Sequence, residues 1–172
     1  MRNIWFIIIL FLAYQGSMSY LQAQSEEDFE QTGLKHFDNA YFKAIPQKDT
    51  ARATAEFAHA EKAFKKAIKK RPDNVKPYLH LGRTYFVQKK YHKAAEVYRQ
   101  ASGIAPQNKK IMLQLASALE KAGEYEAAII TLERMKVGET DFRAIRILDE
   151  FIRKMKTRDE KAKNPGQVSA TN

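Results

Sequence analysis

The chain of 172 residues has no cysteine, seven glycines, five prolines and one tryptophan. Without cysteine there is no disulfide, no Cys-ligated zinc, no thiol nucleophile and no lipid attached through an N-terminal cysteine. Glycines so few and so scattered leave little material for a phosphate-cradling loop, and no Gly-rich run opens a helix. His36, His59, His80 and His92 follow no metal-ligand spacing such as H-E-x-x-H, and no nucleophile elbow is present. The Glu26-Glu27-Asp28-Glu30 cluster falls in a first helical turn, where negative charge complements the helix dipole. These absences predict a protein that is not an enzyme and holds no metal or cofactor. What the chain does have is apolar material, 44% of its residues, and a formal net charge of +10. The first is enough for a packed core and excludes wholesale disorder.

Arg2 precedes eleven apolar residues, Ile4 to Tyr14, and Gln15-Gly16-Ser17 then breaks the run. A positive start, a short apolar stretch and a small-residue region describe a secretory signal peptide over residues 1–23, cleaved after Ala23 or after Ser19. The run is shorter than the ~20 residues of a spanning helix. The alternative is an uncleaved anchor that borrows Ser17 to Leu21 as extra length. Both place the body outside the cytoplasm, and the brevity of the signal predicts a bacterial periplasm or secretion.

The mature chain is organised by a period of 34 residues. Tyr78, Leu81, Gly82, Tyr85, Tyr91, Ala94, Tyr98, Ala101 and Pro106 recur, shifted by 34, as Met112, Leu115, Ala116, Leu119, Tyr125, Ala128, Leu132, Met135 and Thr140. Shifted the other way, the second half gives Phe57, Ala60, Phe64, Ala67 and Pro72. Small residues allow two antiparallel helices to approach, so Gly82 and Ala116 are expected to face Ala94 and Ala128. Pro72 and Pro106 end second helices, and Asn74 and Asn108 are natural N-caps for the helices that follow.

The pattern resembles the tetratricopeptide repeat (TPR) family, whose unit is a helix–turn–helix reading W-x2-L-G-x2-Y…A-x3-F…P. The resemblance implies an all-α solenoid of three repeats, at about 27–74, 75–108 and 109–140, with a capping helix at 141–156. The domain as a whole spans 25–156, and 157–172 reads as a disordered polar tail. The first unit is enlarged: its helices are expected at Glu27–Ala44 and Ala51–Arg71, with Pro46 forcing a turn from Ile45 to Thr50. That leaves a hairpin tip carrying Tyr41, Phe42 and Ile45, a second candidate interaction surface. In the capping helix, Phe142, Ile145, Leu148, Ile152 and Met155 form the expected packing face.

In TPR proteins the first helices line a concave groove that accepts a partner segment. The resemblance places Lys76, Leu79, His80, Arg83, Phe86 and Val87 there, with Lys110, Leu113, Gln114, Ser117, Glu120 and Lys121 from the next unit. Leu79, Phe86 and Leu113 equally suit packing between units. Lys76, Arg83 and Lys110 supply the charges of a carboxylate clamp, but its asparagines are absent, so that specificity is not carried over. Residues 58–99 hold twelve Lys or Arg against three acids, while residues 100–140 balance at zero. The Lys62, Lys65, Lys66, Lys69 and Lys70 run is read as a solvated helix face, or else as a surface for a polyanion or anionic bilayer. Nucleic acid is disfavoured by the export signal. The expected function is that of an envelope scaffold or adaptor holding a protein partner, with an acidic or C-terminal segment as the candidate ligand; the oligomeric state is open. The alternatives are an anchored structural subunit and a polyanion-binding module.

Overall fold

Described in a computed structural model of the protein are Phe11, Tyr14, residues 29–137 and residues 139–164. Apart from Phe11 and Tyr14, the apolar run and both cleavage sites lie outside the described residues. Among the described residues every regular element is a helix, and none is long and apolar enough to cross a membrane. The chain divides into two compact units, Met1–Asp73 and Asn74–Asn172.

The first unit is a helical hairpin. Helix α1 runs through residues 29–38 and widens into a π-helical turn at Asn39–Ala44, and α2 spans Thr50–Lys70. The helix ends at Ala44 and the turn starts at Ile45, as expected, but the widening itself has no counterpart in the sequence reading. Ile45 keeps helical backbone angles (φ −60°, ψ −49°), its N–H reaching back to the Ala40 carbonyl at 3.0 Å. Pro46 brings no N–H, and its ring crowds the carbonyl four residues back, so the looser register lets the helix end here without bending away earlier. The Asp49 carboxylate then caps α2, accepting from the Arg52 N–H at 2.9 Å. Phe37, Ala40 and Ala44 of α1 are buried, as are Ala53, Phe57, Ala60, Phe64 and Ala67 of α2. The Phe37 and Phe57 rings meet edge to face at 5.8 Å.

The second unit comprises α3 (Val75–Val87), α4 (Tyr91–Ile104), α5 (Lys109–Ala122), α6 (Tyr125–Lys136) and α7 (Phe142–Lys163). The side chains of Asn74, Asn108 and Asp141 each accept a hydrogen bond from the first turn of the helix they precede, as Asn capping predicts. Each helix packs on the next, from α3 through to α7. Between α3 and α4 the chain turns through Lys89 at φ 60°; one period later Gly123 takes the same left-handed position at φ 81°. Glycine adopts it freely, whereas Lys89 holds it against a steric penalty.

The small residue at Gly82 makes room for an aromatic ring: a Cβ added there would lie 2.4 Å from the ring of Tyr98. In the first unit a Cβ at Gly33 would lie 2.5 Å from the Phe64 ring. Phe64 and Tyr98 are one period apart, so the same glycine–aromatic lock closes two successive hairpins. Ala94 and Ala128 remain fully buried.

Helix α7 departs from the sequence reading in two respects. Phe142 is 77% exposed, because it is the first residue after the Asp141 cap and precedes the packing face of Leu148, Ile152 and Met155. The helix also continues to Lys163, beyond the position 157 where a disordered tail was expected to begin. Thr157 donates to the Arg153 carbonyl, Asp159 pairs with Lys163 at 2.7 Å, and Arg158 is paired with Glu120 of α5. Residues 165–172 of that tail lie outside the described residues.

Candidate functional site

The alternation of helices gives the second unit two layers. A hollow on one side is lined by α4 and α6 residues, including Arg99, Gly103, Ile130 and Arg134. A hollow on the other side joins α5 to α7. Lys109 at the start of α5 pairs at 2.5 Å with Glu139 in the connection leading into α7, and farther along Glu120 of α5 pairs with Arg158 of α7. Helix α7 therefore occupies the layer of the first helices, the side on which the sequence reading put the groove.

The hollow between α5 and α7 measures about 200 Å³. Leu113, Ala116, Ser117 and Glu120 form one wall, Phe151 and Met155 the other, and Leu132 lies on α6. Leu113 and Phe151 are each 46% exposed. Ile147, one turn before Phe151, is 54% exposed. All three are large apolar side chains left open on α5 and α7.

The remaining groove candidates divide. Lys76, Arg83, Lys110 and Lys121 are exposed cations. Leu79, His80 and Val87 are half-buried, and the His80 carbonyl accepts from the Thr84 hydroxyl at 2.8 Å. Phe86 meets the Tyr91 ring edge to face at 5.3 Å, so it serves the packing of α3 on α4. Gln114 is half-buried, with its Oε1 turned inward and unbonded among the described residues. Ser117 lines the hollow beside Leu113. Burial pushes the Tyr98 hydroxyl strongly up, with the Arg83 charge a smaller opposing influence, so the ring behind the Gly82 column stays neutral.

In the first unit Tyr41, Phe42 and Ile45 are exposed on the hairpin tip, with Tyr41 stacked on Phe37 at 5.6 Å. His36 contacts Glu56 at 2.6 Å and stacks on His59 at 5.0 Å. The His36 hydrogen bond holds the Glu56 carboxyl below its ordinary value of 4.5. His92 bridges α4 to Glu124 at 2.8 Å. No cluster able to hold a metal ion occurs among the described residues.

Two family models, both described as tetratricopeptide repeat, match residues 49–109 and 86–146, together more than half of the chain. The chain belongs to the TPR family. The second match runs into α7, beyond residue 140 where the sequence reading closed the last repeat. No curated protein sequence matches the chain. Among solved structures it is similar to the TPR2B domain of yeast Sti1 in complex with pHsp70, at 17% identity and a TM-score of 0.57 over 78% of this chain and 98% of that one. It is also similar to the TPR domain of Arabidopsis OM64, with 18% identity, a TM-score of 0.55 and coverage of 77% and 98%. A third is the Sgt2 TPR domain of Aspergillus fumigatus, with 18% identity, a TM-score of 0.55 and coverage of 81% and 82%. At these identities the likeness is one of fold, an all-α TPR solenoid.

Sequence reasoning missed Ile147 and Phe151, although the signal was present. Adding 34 twice to Leu79 gives Leu113 and Ile147; adding it twice to Arg83 gives Ser117 and Phe151. The period thus continues through α7 in the groove positions of this TPR domain.

Proposed function

We propose that the protein is a non-catalytic binding scaffold that holds a segment of a protein partner against the α3–α5–α7 face of its second unit. The observation that carries this reading is the pair Leu113 and Phe151, half-exposed on opposite walls of one hollow. Apolar side chains in a concave site supply affinity, and cations around it set orientation and on-rate. Lys76, Arg83 and Lys110 favour a partner segment bearing carboxylates, from an acidic side chain or a C-terminus. The yeast Sti1 TPR2B domain, of like fold, is in a complex with pHsp70, which supports a protein partner in general. The TPR family consists mainly of interaction modules, and this supports a role without catalysis.

The test needs a partner isolated from envelope extracts. Reversing charge at Arg83 and Lys110 is expected to weaken binding about tenfold or more. Reversing Lys66 and Lys70 on α2, at the same salt and with unchanged circular dichroism, is expected to weaken it less. Greater damage from the α2 reversal would move the working face to the basic surface. Arg2 and the Ile4–Tyr14 run support an exported, envelope-located protein. Mass spectrometry of the native protein should then find a mature start between Ser19 and Gln24, and an intact start in washed membranes would favour the anchored subunit.

A further inference from the structure

We infer that the tip of the first-unit hairpin is an interfacial contact for an anionic lipid bilayer. This stands independently of the groove. Three apolar side chains project where the hairpin turns: Tyr41 is 38% exposed, Phe42 62% and Ile45 44%. The Tyr41 and Phe42 rings meet edge to face at 5.0 Å, so the two aromatics act as one rigid wedge. The π-helical turn determines this display, burying Ala40 and Ala44 while leaving Tyr41, Phe42 and Lys43 outside.

Charge at the tip has one sign. Residues 39–48 contain Lys43 and Lys48 and no Asp or Glu. The nearest carboxylates in sequence are Asp38 on the α1 side and Asp49, which is engaged in capping α2. Aromatics that seat at headgroup level, flanked by lysines that reach anionic phosphates, are the composition of a membrane-interface contact. Size also separates the occupants. A stable protein interface needs ~800 Å² from each partner, which three partly exposed side chains cannot provide. A bilayer interface accepts a small apolar wedge when basic residues assist it.

The reporter is Phe42→Trp in a Trp5→Phe background of the full chain, which reads the tip itself, whatever the N-terminal segment does. The probe is vesicles of phosphatidylcholine and phosphatidylglycerol in equal parts. The expected result is a blue shift of emission and quenching by acyl-brominated lipid, both much weaker with phosphatidylcholine alone. Adding Lys43→Glu and Lys48→Glu should raise the lipid concentration for half the effect about tenfold or more. Ile45→Trp, read in the same way, replaces the first reporter if circular dichroism shows lost helicity. Emission unmoved by anionic vesicles, or an equal response to neutral ones, overturns the proposal. So does a blue shift without lipid that grows with protein concentration, which would assign the tip to a second copy of the chain.

Discussion

Gly82→Ala should destabilise the second unit, and Gly103→Ala should stabilise it. The chemical change is the same, both sites are helical, and the helix propensity gained is ~1 kcal/mol at each. At Gly103 nothing lies within 4 Å of the new Cβ, so the gain is kept. At Gly82 the Cβ would sit 2.4 Å from the ring of Tyr98, a side chain 2% exposed and therefore confined. Overpacking of that kind costs ~1–3 kcal/mol, enough to reverse the sign. Gly82→Leu should be worse, with a loss above ~3 kcal/mol. Urea unfolding followed by circular dichroism measures the differences. A Gly82→Ala midpoint raised as much as that of Gly103→Ala would mean that the glycine–aromatic lock is not there.

The second large effect is on binding. Replacing Leu113 and Phe151 together by serine should weaken partner binding at least ~100-fold, since buried interface anchors lose ~2 kcal/mol or more each when truncated. The stability cost should be small by comparison, because each side chain is 46% exposed in the free protein. Isothermal titration and thermal melting on the same samples separate the two. Serine at Ile130 on the opposite layer, 56% exposed, controls for loss of apolar surface as such. Weakened binding in the Ile130 variant and not in the pair would place the contact on the α4–α6 side.

Much of the fold was legible because it rests on residue types with few alternatives. Pro72, Pro106, Asn74 and Asn108 mark helix ends and starts through backbone chemistry alone. The enlarged hairpin was legible from the late start of the Phe57, Ala60, Phe64, Ala67 column, and α2 begins at Thr50, one residue from the expected Ala51. The π-helical turn was not, because it depends on how the Pro46 ring is accommodated and leaves no residue pattern. The groove positions on the capping helix were not legible, for a physical reason. A small residue is needed only where a second helix of the same unit closes on the first, and no helix follows α7 among the described residues. The column of Gly82 and Ala116 therefore passes to the exposed Glu150, and the column of Leu81 and Leu115 to Asp149. The groove columns have a different reason to persist, and they reach Ile147 and Phe151. Half of the hollow was thus hidden by using packing columns to decide where the repeat stopped.

The most direct measurement is crosslinking in the cell at single positions. A photoreactive phenylalanine analogue in place of Phe151, Leu113 or Ile130 samples the two layers of the same unit with the partner present at its natural level. Discrete crosslinked species of one partner are expected from positions 151 and 113, none from 130, and they should be lost when Arg83 and Lys110 are reversed in charge. Crosslinks formed from position 130 while 151 and 113 stay silent would contradict that expectation.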